Sequence, residues 1–129
     1  MKREIRGVFI PVDDIHRARA WYRDALGLPV GEVVYGHLCS ISLDDGLELL
    51  LDEKGTPDRP EKSGVSATVP RGAYPLFMFA SDDIEASLES MQARGVDVVE
   101  YNGEAVQDGH WFNIRDSEGN LLMICAPRR

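Results

Sequence analysis

The sequence predicts an α+β protein of two tandem β-α-β-β-β modules, forming a curved sheet around a cleft with helices on the outer face. Three observations carry that reading. A strand followed at once by a capped helix occurs twice, each helix stops at a glycine, and each half closes on a hairpin whose turn is written in Asp, Ser and Gly. A module of this size cannot bury its sheet alone, so two share the task.

In the first half, Gly7 to Val12 reads as a strand and Asp13-Asp14 as the cap of the helix that follows. Helical spacing of Ile15, Ala18, Tyr22 and Leu26 marks the buried stripe, and Gly27 ends the helix. Val30 to Val34 forms the next strand, and Gly36 to Leu43 meets Leu47 to Leu51 across Asp44-Asp45-Gly46. The second half repeats the order. Leu76 to Ala80 is a strand, Ser81-Asp82-Asp83 caps, and a helix runs from Ile84 to Arg94 with the stripe Ile84, Leu88 and Met91 before Gly95. Val96 to Tyr101 follows, and Trp111 to Arg115 meets Asn120 to Cys125 across Asp116-Ser117-Glu118-Gly119. One domain over residues 1–129 is expected, with module 1 at about 5–54, a linker at about 55–74 rich in Gly, Pro, Ser and Thr, and module 2 at about 75–127.

Charge narrows the partners. Asp and Glu number 22 against 14 Lys and Arg, a formal charge of −8 with no basic cluster, which repels phosphate backbones and anionic lipid. Nucleic acid and membrane are therefore not expected partners. No apolar run approaches the roughly 20 residues that span a bilayer, and the first residues lack a secretory signal, so the expected compartment is the cytoplasm. Cys39 and Cys125, far apart and outside any CxxC pattern, are expected to be free and buried.

Val12-Asp13-Asp14-Ile15 leading into Trp21-Tyr22-Arg23-Asp24-Ala25-Leu26-Gly27-Leu28, and Asp116-Ser117-Glu118-Gly119-Asn120-Leu121-Leu122 with Ser117 where Pro is usual, resemble the vicinal oxygen chelate superfamily. That superfamily holds glyoxalases, bleomycin-resistance proteins and dioxygenases. The resemblance implies paired β-α-β-β-β modules, a ligand cleft and a homodimer. It leaves open a wide range of reactions, and non-catalytic drug binding as well. In metal-bearing relatives four side chains reach a cation. Carried onto this chain, those positions fall at Gly7, Glu48, near Leu76, and at Met123. One oxygen ligand in four does not hold a divalent cation tightly.

Strand alternation sorts the candidates. Gly7, Phe9 and Pro11 face the cleft. With Leu43 opposite Glu48, Ile41, Cys39 and His37 share the face of Glu48, His37 at the cleft mouth. With Phe112 opposite Met123, His110, Ile114 and Cys125 share the face of Met123, and Trp111 turns to the core with Trp21 and Tyr22. The expected ligand-binding residues are thus Glu48, His110, His37, Phe9, Phe112, Met78 and Met123. Two functions follow. One is a metal-independent binder of a small molecule, for instance a cationic drug or metabolite in an apolar cleft, with no cofactor. The other is a lyase or dioxygenase-type enzyme in which Glu48 and His110 hold Zn, Mn, Fe or Ni, or serve without metal as general base and acid.

Overall fold

In the computed structural model the described residues are 1–53 and 72–127. The chain divides into two units, Met1–Val69 and Pro70–Arg129. Most of the expected linker, 55–71, lies outside the described residues.

The first unit opens on β1 (Gly7–Val12) and passes into α1 (Ile15–Asp24). Asp14 has extended backbone, and its carboxylate accepts the N–H groups of His16 and Arg17 at 3.1 and 3.0 Å, so two otherwise orphaned donors of the first turn are satisfied. A second carboxylate reaches the same turn: Oε2 of Glu53 accepts the Ile15 N–H at 3.1 Å, tying the end of β4 to the start of the helix. Strands β2 (Val30–Val34), β3 (Leu38–Ser42) and β4 (Glu48–Glu53) complete a mixed sheet in the order β1-β4-β3-β2, with β1 parallel to β4. Helix α1 lies against β2, β3 and β4. The side chains it covers form the core of the unit: Ile10 and Val12 from β1, Ile15, Ala18 and Tyr22 from the helix, Cys39 and Ile41 from β3, Leu49 and Leu51 from β4.

The second unit repeats the plan with β5 (Met78–Ala80), α2 (Ile84–Ala93), β6 (Asp97–Val99), β7 (Trp111–Arg115) and β8 (Leu121–Cys125), ordered β5-β8-β7-β6 with β5 parallel to β8. Asp83 caps α2 by accepting the Ala86 N–H at 3.0 Å. The expected stripe of α2, Ile84, Leu88 and Met91, is only half-buried. Phe112, Ile114, Leu122 and Ile124 are its most deeply buried apolar side chains. The two β-α-β-β-β units and the α+β class are as the sequence predicts.

The hairpin registers differ from expectation, and by the same amount in both units. Leu43 pairs with Leu47 across a three-residue loop, closed by Leu43 N–H to Leu47 O at 2.9 Å and helped by Gly46 at φ 89°. Ser42, not Leu43, therefore faces Glu48, and Ile41 and Cys39 pair with Leu49 and Leu51 in the core. Asp116 likewise pairs with Asn120 through a 3.0 Å bond, with Gly119 at φ 83°. Phe112 then faces Ile124, and Asn113 faces Met123. A shift of one residue moves every side chain of a strand to the other side of the sheet. Phe112 thus leaves the expected ligand-binding set for the core, with no exposed surface, and Ile114 goes with it. Trp111 makes the opposite move.

The turn at Asp116 explains the most specific motif in the chain. Oδ1 of its buried carboxylate accepts from the N–H groups of Glu118 and Asn120 at 2.8 and 2.9 Å, and Oδ2 accepts from Nδ2 of Asn120 at 3.0 Å. The Asp-Ser-Glu-Gly-Asn run builds the hairpin.

Candidate functional site

The face of each sheet turned away from its core is where chemistry is available. In the first unit it carries Gly7, Phe9 and Pro11 of β1, Glu48, Leu50 and Asp52 of β4, and Leu38, Ser40 and Ser42 of β3. Phe9 is 60% exposed. Gly7 and Glu48 are direct partners. A Cβ at position 7 would lie 3.2 Å from the Glu48 carbonyl oxygen and 3.3 Å from Cδ1 of Leu50, so a ligand side chain there would be crowded unless its neighbours shift. At the other end of β4, about 13 Å from Glu48 along the strand, Oδ1 of the buried Asp52 lies 2.7 Å from Nδ1 of His37. His37 is held there by the tight turn at Tyr35 and Gly36, both with positive φ. Within neither unit do three His, Cys, Asp or Glu side chains among the described residues converge. Among the described residues, neither unit alone brings together three such donors for a divalent cation.

His110 belongs to the second unit, so Glu48 and His110 stand in different units. It follows the Asp108-Gly109 turn, where both residues have positive φ, and precedes β7. Its N–H donates to Gln107 O at 2.9 Å and its carbonyl accepts from Ala126 N–H at 2.7 Å, while the residue as a whole is exposed. The register that was to bring it next to Met123 is not the register formed.

The open face of the second sheet has a more definite character. Met78 and Met123 are direct partners on β5 and β8, and Trp111 faces Cys125. Sγ of Cys125 lies 3.3 Å from Sδ of Met78, and Met78 is 64% exposed. The rings of Trp111 and Tyr101 meet edge to face with centroids 5.9 Å apart. Thioethers, a thiol and two aromatic rings therefore make a soft, polarisable surface. Burial pushes the Cys125 thiol pKa above the ordinary thiol value.

One polar side chain stands among them. Asn113, 2% exposed, donates from Nδ2 to Oη of Tyr101 at 2.9 Å. Its Oδ1 is buried and has no hydrogen-bond partner. Tyr101 is fixed by the turn through Asn102 and Gly103, both with positive φ, and by reciprocal backbone bonds with Glu104 at 2.8 and 3.1 Å. Sequence reasoning passed over Asn113, which the assumed register sent to the core. A single amide in the otherwise apolar Trp-Phe-Asn-Ile stretch was the available signal.

An open depression of about 910 Å³ lies beside the N-terminal segment of the first unit, lined among others by Lys2, Ile5, Arg6, Asp45 and Leu47. Its side chains are exposed apart from half-buried Leu47, and no buried polar group points to a ligand.

The family model for the Glyoxalase/Bleomycin resistance protein/Dioxygenase superfamily matches residues 5–124. No curated protein matches the chain by sequence. Among solved structures, UcmS2 superposes with a TM-score of 0.76 at 22% identity, covering 97% of this chain and 98% of that one. TnmS3, an antibiotic binding protein from Streptomyces sp. CB03234, gives 0.71 at 19% identity, covering 98% of each chain. Lactoylglutathione lyase from Agrobacterium tumefaciens gives 0.69 at 23% identity, covering 97% and 94%. These likenesses establish a common fold. No helix among the described residues is long and apolar enough to cross a membrane.

Proposed function

Because the chain belongs to the Glyoxalase/Bleomycin resistance protein/Dioxygenase superfamily, we propose that it is a small-molecule-binding protein that works without a metal ion. The observation that carries this reading is the face of the second sheet that Met78, Met123, Cys125 and Trp111 share with Asn113, whose Nδ2 holds Tyr101 and whose Oδ1 has no partner. Apolar walls with a few polar points are what organic ligands select.

Three further features support it. The positions expected to carry cation ligands fall at Gly7, near Leu76 and at Met123 beside Glu48, and a side chain at Gly7 would crowd Leu50. Burial raises the pKa of the Cys125 thiol, which disfavours the nucleophilic thiolate. A structure of the same fold is that of an antibiotic binding protein. With a net charge of −8, the protein favours ligands that are neutral or cationic. We further propose a homodimer, for which light scattering at micromolar concentration is expected to give twice the 14.4 kDa chain mass.

Metal analysis of protein purified without chelator tests the reading. Far less than one equivalent of Zn, Mn, Fe or Ni is expected, with no rise in melting temperature on adding any of them. Near-stoichiometric metal that disappears in Glu48→Ala or His110→Ala protein would replace this reading with a metal-dependent lyase or dioxygenase-type enzyme.

A further inference from the structure

We propose that Asn113 is the polar anchor of a ligand site on the second unit, accepting a hydrogen bond from an N–H or O–H carried by a flat aromatic ligand. This rests on the binding reading above and narrows it to a ligand class.

The argument starts from the amide. A buried carbonyl oxygen without a donor is unfavourable, and folded proteins rarely leave one. In Asn113 the Nδ2 end is engaged by Tyr101 at 2.9 Å, which fixes the plane of the amide and leaves Oδ1 facing a demand that no protein group meets. The N–H end of the amide holds Tyr101, whereas its oxygen serves no hydrogen bond among the described residues. The partner across the ladder is Met123 and the strand neighbours Phe112 and Ile114 are fully buried hydrocarbons, so packing alone does not call for an amide oxygen here. An asparagine placed there serves recognition, because a ligand supplying the missing donor gains a bond in a desolvated setting, whereas one lacking it leaves the oxygen unsatisfied.

The surroundings decide the rest of the ligand. Met78, Met123 and Cys125 share this face of the sheet with Trp111, Sγ of Cys125 lying 3.3 Å from Sδ of Met78 and the Trp111 ring meeting Tyr101 edge to face. Sulfur makes favourable contacts with aromatic rings, and so do the faces of Trp and Tyr. An amide oxygen accepts, so the feature being read is a neutral donor or the N–H of an amine, not a phosphate or carboxylate.

Two probes that differ only in that donor test the proposal: 2-naphthol and 2-methoxynaphthalene, titrated into the full chain with ¹³C-methyl methionine and Asn side-chain amide resonances observed. Both are expected to shift the Met78 and Met123 methyls. Only 2-naphthol is expected to shift the Asn113 amide, and it binds about five- to tenfold more tightly, the value of one hydrogen bond in a dry site. In Asn113→Leu, and in Asn113→Ala as a second variant, the two probes bind within about twofold of one another. Equal binding of both probes to the unaltered protein, or a preference that survives both substitutions, overturns the anchor while leaving the binding face in place. Silence of both methionine methyls at millimolar probe overturns the face itself. Methyl shifts that follow protein concentration rather than probe identify the surface as a contact between copies of the chain, and that too overturns the proposal.

Discussion

Asn113 stands directly across from Met123, and the two side chains leave the second sheet on the same side. The bond that sets this pairing is made several residues away, where Asp116 N–H reaches Asn120 O and leaves a loop of three residues. That turn places Phe112 in the core and Asn113 on the open face. Strand faces are decided by the nearest hairpin, since alternation carries the choice along the whole ladder.

This register makes opposite forecasts for adjacent residues. Phe112→Ala is expected to lower stability by about 3–5 kcal/mol, as truncation of a fully buried aromatic does. Asn113→Leu removes an unsatisfied buried group and is expected to leave stability unchanged or raise it slightly. Urea unfolding of the two variants checks the pairing. A mild effect at Phe112 with a large loss at Asn113 would mean that the strand faces are reversed.

The Asp116 turn makes its own forecast. The carboxylate satisfies two backbone donors and one side-chain amide, so Asp116→Ala leaves buried N–H groups without partners. A loss of about 2–4 kcal/mol is expected by urea unfolding. Asp116→Asn, which keeps one acceptor oxygen, should lose less. Equal losses in the two would show that the carboxylate pair is not what holds the hairpin.

Much of the fold was legible in the sequence because its signals are local. Asp14 and Asp83 cap helices where the Asp-Asp pairs indicated, and the strand spans agree to within two or three residues. The site was less legible. Whether Asp44-Asp45-Gly46 makes a loop of three or of four residues depends on the αL conformation of Gly46 and the Leu43–Leu47 bond, neither of which composition reveals. That one unit of length moved Cys39 and Ile41 into the core, and the same uncertainty at the Asp116–Asn120 turn moved Phe112 into the core and put Trp111 and Asn113 on the side of Met123. The role of Tyr101 was hidden in the same way: it depends on tight turns at Asn102-Gly103 and Asp108-Gly109, whose Asn-Gly and Asp-Gly pairs were readable but unused.

Restoring a ligand at the first superfamily position should fail. In Gly7→His the new Cβ meets Leu50 Cδ1 and the Glu48 carbonyl at 3.3 and 3.2 Å. Stability is expected to fall by about 1–3 kcal/mol through overpacking. Cobalt added to the variant should give no visible d–d absorption beyond that of the aqueous ion. A tight tetrahedral or five-coordinate cobalt spectrum would show that the site tolerates a cation after all.

The two thiols should respond to pH as buried groups. Burial holds both Cys39 and Cys125 above the ordinary thiol pKa of 9.0. The folded protein therefore retains these protons where the unfolded chain has lost them. The stabilisation they lend is complete below the unfolded pKa and is lost as pH rises through the higher folded value. At pH 8, iodoacetamide is expected to alkylate both at least about tenfold more slowly than an unstructured cysteine peptide, Cys39 more slowly than Cys125, with the difference abolished in urea. Fast alkylation of folded Cys125 would mark it as an activated thiol and reopen a catalytic reading.

The claim on which the rest depends is that an organic ligand binds here without a metal. A thermal-shift screen of polycyclic and cationic antibiotics, run on protein held in EDTA, measures it directly. At least one compound is expected to raise the melting temperature by about 5 °C or more at a hundredfold excess over its Kd, and addition of Zn or Mn should not change that shift. Stabilisation that appears only after Zn or Mn is supplied, with none in EDTA, would contradict it.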